Sequence, residues 1–95
     1  MRLRWTERSR RDLGDIERFI ARDDAERGRR WVARLETRAR KAAEVPLAGR
    51  VVPEIGRRDV REVIVNGYRI VYLVRAEDVV ILTVFESHRL LPRIR

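Results

Sequence analysis

The chain opens on an alternation, Arg2-Leu3-Arg4-Trp5, in which charged and bulky residues trade places at the period of a strand. Thr6 follows, a residue type whose hydroxyl can accept from the first free amides of a helix. From there Ser9, Leu13, Ile16 and Ile20 fall on one stripe at helical spacing, with Asp12, Asp15, Glu17 and Arg18 off it, so a first amphipathic helix is predicted. Ala21-Arg22-Asp23-Asp24 breaks that pattern, and Asp23 with Glu26 has the spacing of a capping interaction for a second helix. On it Gly28, Val32, Leu35, Ala39 and Ala42 recur in steps of four and three with Trp31 beside them. Small residues alternating with large along one seam let two antiparallel helices approach closely. Pro46 disfavours helical geometry in the residue before it, and Gly49 permits a reversal, so the helix ends in Val45–Arg50.

Beyond this point the pattern is that of sheet. Val51 to Gly56 reads as a short extended or loop segment. Val60 to Val65 is rich in β-branched residues and runs into Asn66-Gly67, the pair that two-residue type I′ hairpin turns favour; Tyr68 to Arg75 is the returning strand. Ala76-Glu77-Asp78 makes a second tight connection into Val79 to Phe85, a continuous apolar run expected of a central strand. His88 to Arg95 is a basic, partly apolar tail that Pro92 keeps irregular. The predicted fold is therefore α+β over one domain, residues 1–95: an N-terminal strand and an antiparallel helical hairpin packed on one face of a mainly antiparallel sheet of about four strands.

A two-residue turn at Asn66-Gly67 also sets the register, with Val65 facing Tyr68, Ile64 facing Arg69, Val63 facing Ile70, Glu62 facing Val71 and Arg61 facing Tyr72. Val63, Val65, Tyr68, Ile70, Tyr72 and Val74 then share the face covered by the helices. Glu62, Ile64, Arg69, Val71 and Leu73 share the other, which is half apolar and has no third layer of secondary structure above it. A partner or the tail must cover it, and an uncovered chain is expected to self-associate through Ile64, Val71 and Leu73. Arg69 in the middle of this patch requires an anion. Either Glu62, diagonally across the hairpin, pairs with it internally, or it stands ready for a phosphate or carboxylate on a concave sheet.

Charge sharpens the picture. The chain carries 23 Lys and Arg, of which only Lys41 is lysine, against 15 Asp and Glu, a formal +8. Such a field draws polyanions or acidic proteins, and the use of arginine almost to the exclusion of lysine reflects either planar forks suited to phosphate and carboxylate or a coding bias. There is no cysteine, which removes disulfides, thiolate zinc sites and cysteine nucleophiles. Nor does any metal-ligand cluster, nucleophile-base pair or phosphate-cradling glycine loop appear, so no metal or cofactor is called for. The segment after Met1 contains no apolar run of leader or membrane-span length, and a reducing cytoplasm is the expected compartment. His88, the single histidine, stands beside Arg89 at the end of the last strand. Trp5, Phe19, Trp31, Tyr68, Tyr72 and Phe85 all fit core or semi-core positions, which leaves no aromatic platform for stacking bases.

The order strand, helical hairpin, antiparallel strands, together with Trp5-Thr6, Asp12-Leu13 with Ile16, Val45-Pro46-Leu47-Ala48-Gly49-Arg50, Arg61-Glu62-Val63, Gly67-Tyr68-Arg69-Ile70-Val71-Tyr72, Val79-Val80-Ile81-Leu82 and His88-Arg89, resembles the RelE/ParE toxin superfamily, the ParE type most closely. The match runs over nearly the whole chain, and Gly-Tyr-Arg-Ile-Val-Tyr is its most specific segment.

The resemblance implies the toxin of a type II toxin–antitoxin system, of the kind that stabilises plasmids and arrests growth, neutralised by a ParD-like antitoxin whose C-terminal segment wraps it in a hetero-oligomer. It implies two possible targets. ParE-like members inhibit DNA gyrase and are not nucleases; RelE-like members cut mRNA on the ribosome without metal. In the second case the catalytic set here would be Arg69, His88 and Arg89, but the positions of strand lysines in the cutting members fall on Val60 and Glu62, and no tyrosine follows Arg89. Gyrase inhibition is therefore the expected activity, with mRNA cleavage or a non-toxic basic nucleic-acid-binding module as alternatives. Arg61, Glu62, Ile64, Arg69, Val71, Leu73, His88 and Arg89 are the expected antitoxin- or target-binding residues.

Overall fold

The computed structural model describes residues 1–93, so Ile94 and Arg95 of the expected tail lie outside the described residues. The elements run β1 (Arg2–Trp5), α1 (Glu7–Ala21), α2 (Ala25–Glu44), a 3-10 turn (Pro46–Ala48), β2 (Arg50–Val51), β3 (Val60–Val65), β4 (Tyr68–Val74) and β5 (Asp78–Glu86). The sheet order is β1-β5-β4-β3-β2, with β1 parallel to β5 and every other pair antiparallel. Five strands stand where about four were expected. The addition is β2, two residues that pair Arg50 with Glu62 and Val51 with Arg61, too short to leave a period in the sequence.

Thr6 caps α1 by accepting from the Ser9 amide at 3.0 Å. The cap of α2 is Asp24, which accepts from the Arg27 amide at 3.2 Å, and not Asp23. Both are carboxylates, and the extended backbone at Asp24 (φ −158°, ψ 107°) decides between them. At Gly28 an added Cβ would stand 2.9 Å from the Glu17 carbonyl oxygen, so this residue admits the close approach of the two helices that the small-residue seam predicted. The hairpin register is the expected one from Val65–Tyr68 to Arg61–Tyr72, with Asn66 at φ 47° and Gly67 at φ 87°.

Opposite Val71 and Tyr72 the β5 register slips, pairing passing from Thr83 to Ile81 across Leu82. Such a bulge twists a strand and frees backbone groups. Here α1 takes them up: Asp12 Oδ2 accepts from Thr83 Oγ1 at 2.6 Å and from the Val84 amide at 3.0 Å, and the Thr6 hydroxyl donates to the Ile81 carbonyl at 2.9 Å. The first helix is thereby fastened to the central strand by polar contacts as well as by packing.

The main core lies between the helices and the sheet. It joins Leu13, Ile16, Leu35, Ala39 and Ala42 to Val63, Ile70, Tyr72, Val79, Ile81 and Val84, with Val65, Tyr68 and Val74 at its edge. The assignment of the hairpin face to the helical side therefore holds. The opposite face departs from expectation. Val71 is fully buried there, in a second cluster with Val52 and Val60, flanked by Ile55, Leu73, Leu82, Phe85 and Leu91. The irregular segment between β2 and β3, with Leu91 of the tail, forms the cover that the helices could not. Of the three residues expected to drive self-association, only Ile64 is exposed.

Candidate functional site

Arg69 is the centre of the sequence-predicted site, and its surroundings decide what that site can do. β4 places it opposite Ile64, one diagonal step from Glu62 on β3. Its Nε donates to Glu62 Oε1 at 2.7 Å, while Nη1 and Nη2 donate to the two carboxylate oxygens of Glu54 at 2.8 Å each. The guanidinium also lies 4.9 Å from the Phe85 ring centroid, and the whole residue is 5% exposed. Glu62, 1% exposed, receives a second cation through its other oxygen, Arg50 Nε at 2.5 Å. Hydrogen bonds from Arg69 hold the Glu54 carboxyl at a pKa of about 2, and those with Glu54, ahead of those with Glu62, raise the pKa of Arg69. Two cations and two anions thus form one chain of charge-assisted bonds, Arg50–Glu62–Arg69–Glu54, which pins the covering segment to the sheet.

Of the two alternatives for Arg69 the structure shows internal pairing, with Glu54 contributing two of the three bonds. Glu54 escapes pattern reading because it sits in an irregular stretch. Glu62, Arg69 and Val71 are interior residues and present no free surface. Leu73 is partly covered, and Arg61 donates to main-chain carbonyls of Arg58 (2.8 Å) and Gly49 (3.1 Å). His88 and Arg89 are exposed and share Glu86, at 3.7 Å from His88 Nε2 and 3.3 Å from Arg89 Nη2.

A depression of about 550 Å³ runs between α1 and the tail. Arg8, Asp12, Asp15, Ile16 and Phe19 line it from α1, Tyr68, Val84, Phe85 and Glu86 from the sheet, and Arg89, Leu90 and Pro92 from the tail. Arg8 Nη1 donates to the Arg93 carbonyl at 3.3 Å and ties tail to helix. Arg89 and Phe85 are part of this lining, whereas Arg69 and His88 are not. The three residues of the conditional nuclease set are therefore not gathered on one cavity. Phe19, expected in the semi-core, is 66% exposed at the rim, with the Arg22 guanidinium 5.9 Å from its ring. Burial raises the Tyr68 phenol pKa, and Trp31 meets its ring edge-on at 6.4 Å. Apolar floor, exposed aromatic rim and charges of both signs suit recognition of another chain.

Two helices on one face of a five-stranded mixed sheet, with a formal charge of +8, define a small basic α+β domain. Residues 3–91 match the family described as ParE toxin of type II toxin-antitoxin system, parDE, and the chain belongs to that family. It is 38% identical to "Putative toxin Y4kP" of Sinorhizobium fredii (strain NBRC 101917 / NGR234), over 98% of this chain and 95% of that protein. It shares its fold with a solved chain from "Chromosomal ParDE TA system from P. aeruginosa" at a TM-score of 0.75 and 19% identity, over 93% of this chain and 97% of that one. No helix among the described residues is long and apolar enough to cross a membrane.

Proposed function

We propose that this ParE-family toxin arrests growth in the cytoplasm by inhibiting DNA gyrase, and that a ParD-like antitoxin neutralises it by binding in a hetero-oligomer. The observation that carries the choice of target is the state of Arg69. Each of its three nitrogens donates to Glu54 or Glu62, and the residue is buried, so its charge is already met and almost none of it is open to a scissile phosphate. General acid-base cleavage also needs the proton-transfer group and the charge-stabilising cations around one reacting atom. His88 stands outside the groove that holds Arg89. What remains accessible, Ile64, His88, Arg89 and the groove beside α1, is equipped for protein contact, with cations for an acidic antitoxin and an apolar floor for its anchors.

The test is a pair of reactions with the purified chain: negative supercoiling by gyrase, and translation of a defined mRNA on ribosomes. Inhibited supercoiling with intact mRNA, reversed by the co-encoded antitoxin, is the expected result. Cut mRNA with gyrase unaffected would transfer the protein to the nuclease side.

A further inference from the structure

A second surface, sharing no lining residue with the groove beside α1, lies at the end of α2. Arg34, Arg38 and Lys41 follow one another on α2 in steps of four and three, so they stand along one side of the helix. Among the described residues none of them has an acidic side chain within 4.0 Å, in contrast to Arg29 and Arg30, which pair with Glu26. Arg38 and Lys41 border a small groove of about 180 Å³ between the end of α2, the 3-10 turn and β3. Its other walls are Ala42, Val45, Ala48, Gly49, Val63 and Tyr72. Arg61 completes the cationic rim: its bonds to the carbonyls of Arg58, Leu47 and Gly49 fix its head against the turn without neutralising it. Arg38 and Arg61 both act on the Tyr72 hydroxyl, opposing the rise in its pKa that burial imposes. The floor is apolar, and two exposed aliphatic residues, Val45 (58%) and Leu47 (63%), flank the turn.

Each property narrows the occupant. The volume falls below the roughly 300–1,000 Å³ of small-molecule sites and suits one side chain. A nucleic-acid backbone would use the cations and leave the apolar floor unfilled, and the one aromatic ring in the lining, Tyr72, is fully buried and cannot stack with a base. A second copy would bring another net +8 to a cationic rim. We propose that this groove binds an acidic peptide segment of a partner protein, seating one apolar side chain over Ala42, Val63 and Tyr72 and placing flanking carboxylates on Arg38, Lys41 and Arg61.

The test uses the full chain, isotopically labelled, and a fluorescent twelve-residue peptide with four acidic residues around one leucine. Two controls accompany it: the same peptide with alanine for leucine, and a single-stranded twelve-nucleotide DNA. The leucine peptide should shift the amides between Arg38 and Gly49 and those of Arg61 to Val63. It should bind about tenfold or more tighter than the alanine peptide, the discrimination expected for burying one aliphatic side chain. Arg38→Glu with Lys41→Glu should weaken it by a similar factor. Ala48→Trp, at an exposed position, fills the groove and leaves every charge in place, and it too should abolish the preference for leucine; circular dichroism confirms that both variants fold. Equal binding of the two peptides, indifference to Ala48→Trp, no binding at all, or tighter binding of the DNA at the same residues would each overturn the proposal.

Discussion

Replacing Arg69 by methionine tests whether the ion chain is a fastening or a reactive centre. The substitution keeps a long apolar stem under Phe85 and strands Glu62, whose side chain has no exposure, with Arg50 as its sole remaining partner. Breaking a buried pair by removing one partner typically costs about 3–5 kcal/mol, because the other charge stays uncompensated. Arg50 is 57% exposed and already bonded to Glu62, which places the expectation at the lower end. For a domain of this size about 3 kcal/mol lowers Tm by on the order of 12 °C or more. Arg69→Met/Glu62→Met should recover most of the loss, since replacing both members of a buried pair by apolar groups is often close to neutral and the released Arg50 and Glu54 can turn to water. Thermal unfolding followed by circular dichroism measures both variants. A single variant within about 4 °C of wild type, or a double variant no better than the single, would refute the reasoning; an unchanged Tm together with abolished toxicity would restore Arg69 to a place in the chemistry.

Other consequences follow from the same geometry. Glu54→Gln should destabilise at neutral pH and converge with wild type in acid. The folded pKa of Glu54, about 2, lies below the ordinary 4.5, so its contribution is present above about 4.5 and is lost as pH falls toward 2; parallel Tm-against-pH curves that never converge would contradict this. At Gly49 an added Cβ would fall 2.2 Å from the Tyr72 hydroxyl and 2.9 Å from the Glu62 carbonyl oxygen, so Gly49→Ala should cost about 1–3 kcal/mol by denaturant titration, as overpacking does, and an unchanged midpoint would count against the packing described. His88→Ala should leave growth arrest and gyrase inhibition intact, because a residue 74% exposed and outside the groove does no proton transfer there. The nuclease reading requires a fall of roughly 100- to 10,000-fold in rate from the same change.

Regular spacing explains which parts of this molecule could be read from sequence. Asn66-Gly67 dictates a two-residue turn, the turn dictates the register, and the register places Val63, Ile70 and Tyr72 under the helices. The Gly28 to Ala42 seam was legible because close helix packing leaves a period of small residues. β2 was not, since two paired residues have no period, and the choice of Asp24 over Asp23 rests on one backbone conformation that either aspartate could adopt. Phe19 is the opposite failure: an aromatic residue between Ile16 and Ile20 reads as core, yet the helix turns it outward to the rim of the groove. The Arg69 site was half legible. Glu62 lies at a fixed diagonal offset within a ladder, whereas Glu54 arrives from a turn closed by the Ile55 and Gly56 amides on the Val52 carbonyl, whose path no propensity encodes.

That half-legible partner changes where the charge of the molecule acts. Arg50, Arg69, Glu54 and Glu62 sum to zero and lie on the sheet face away from the helices, so they add nothing net to the field that reaches a partner. The formal +8 is carried elsewhere: among the described residues, cations with no carboxylate within 4.0 Å include Arg2 and Arg4 on β1, Arg10 and Arg22 at α1, Arg34, Arg38 and Lys41 on α2, and Arg58 and Arg61. Long-range attraction of an acidic partner depends on such uncompensated charges, since a neutral cluster of closely spaced ions has a short-ranged field. An arginine can thus be the most recognisable residue of the strand pattern and contribute nothing to steering. On the reading proposed above, a partner is captured where cations border apolar side chains, in the groove beside α1 and the smaller groove at the end of α2.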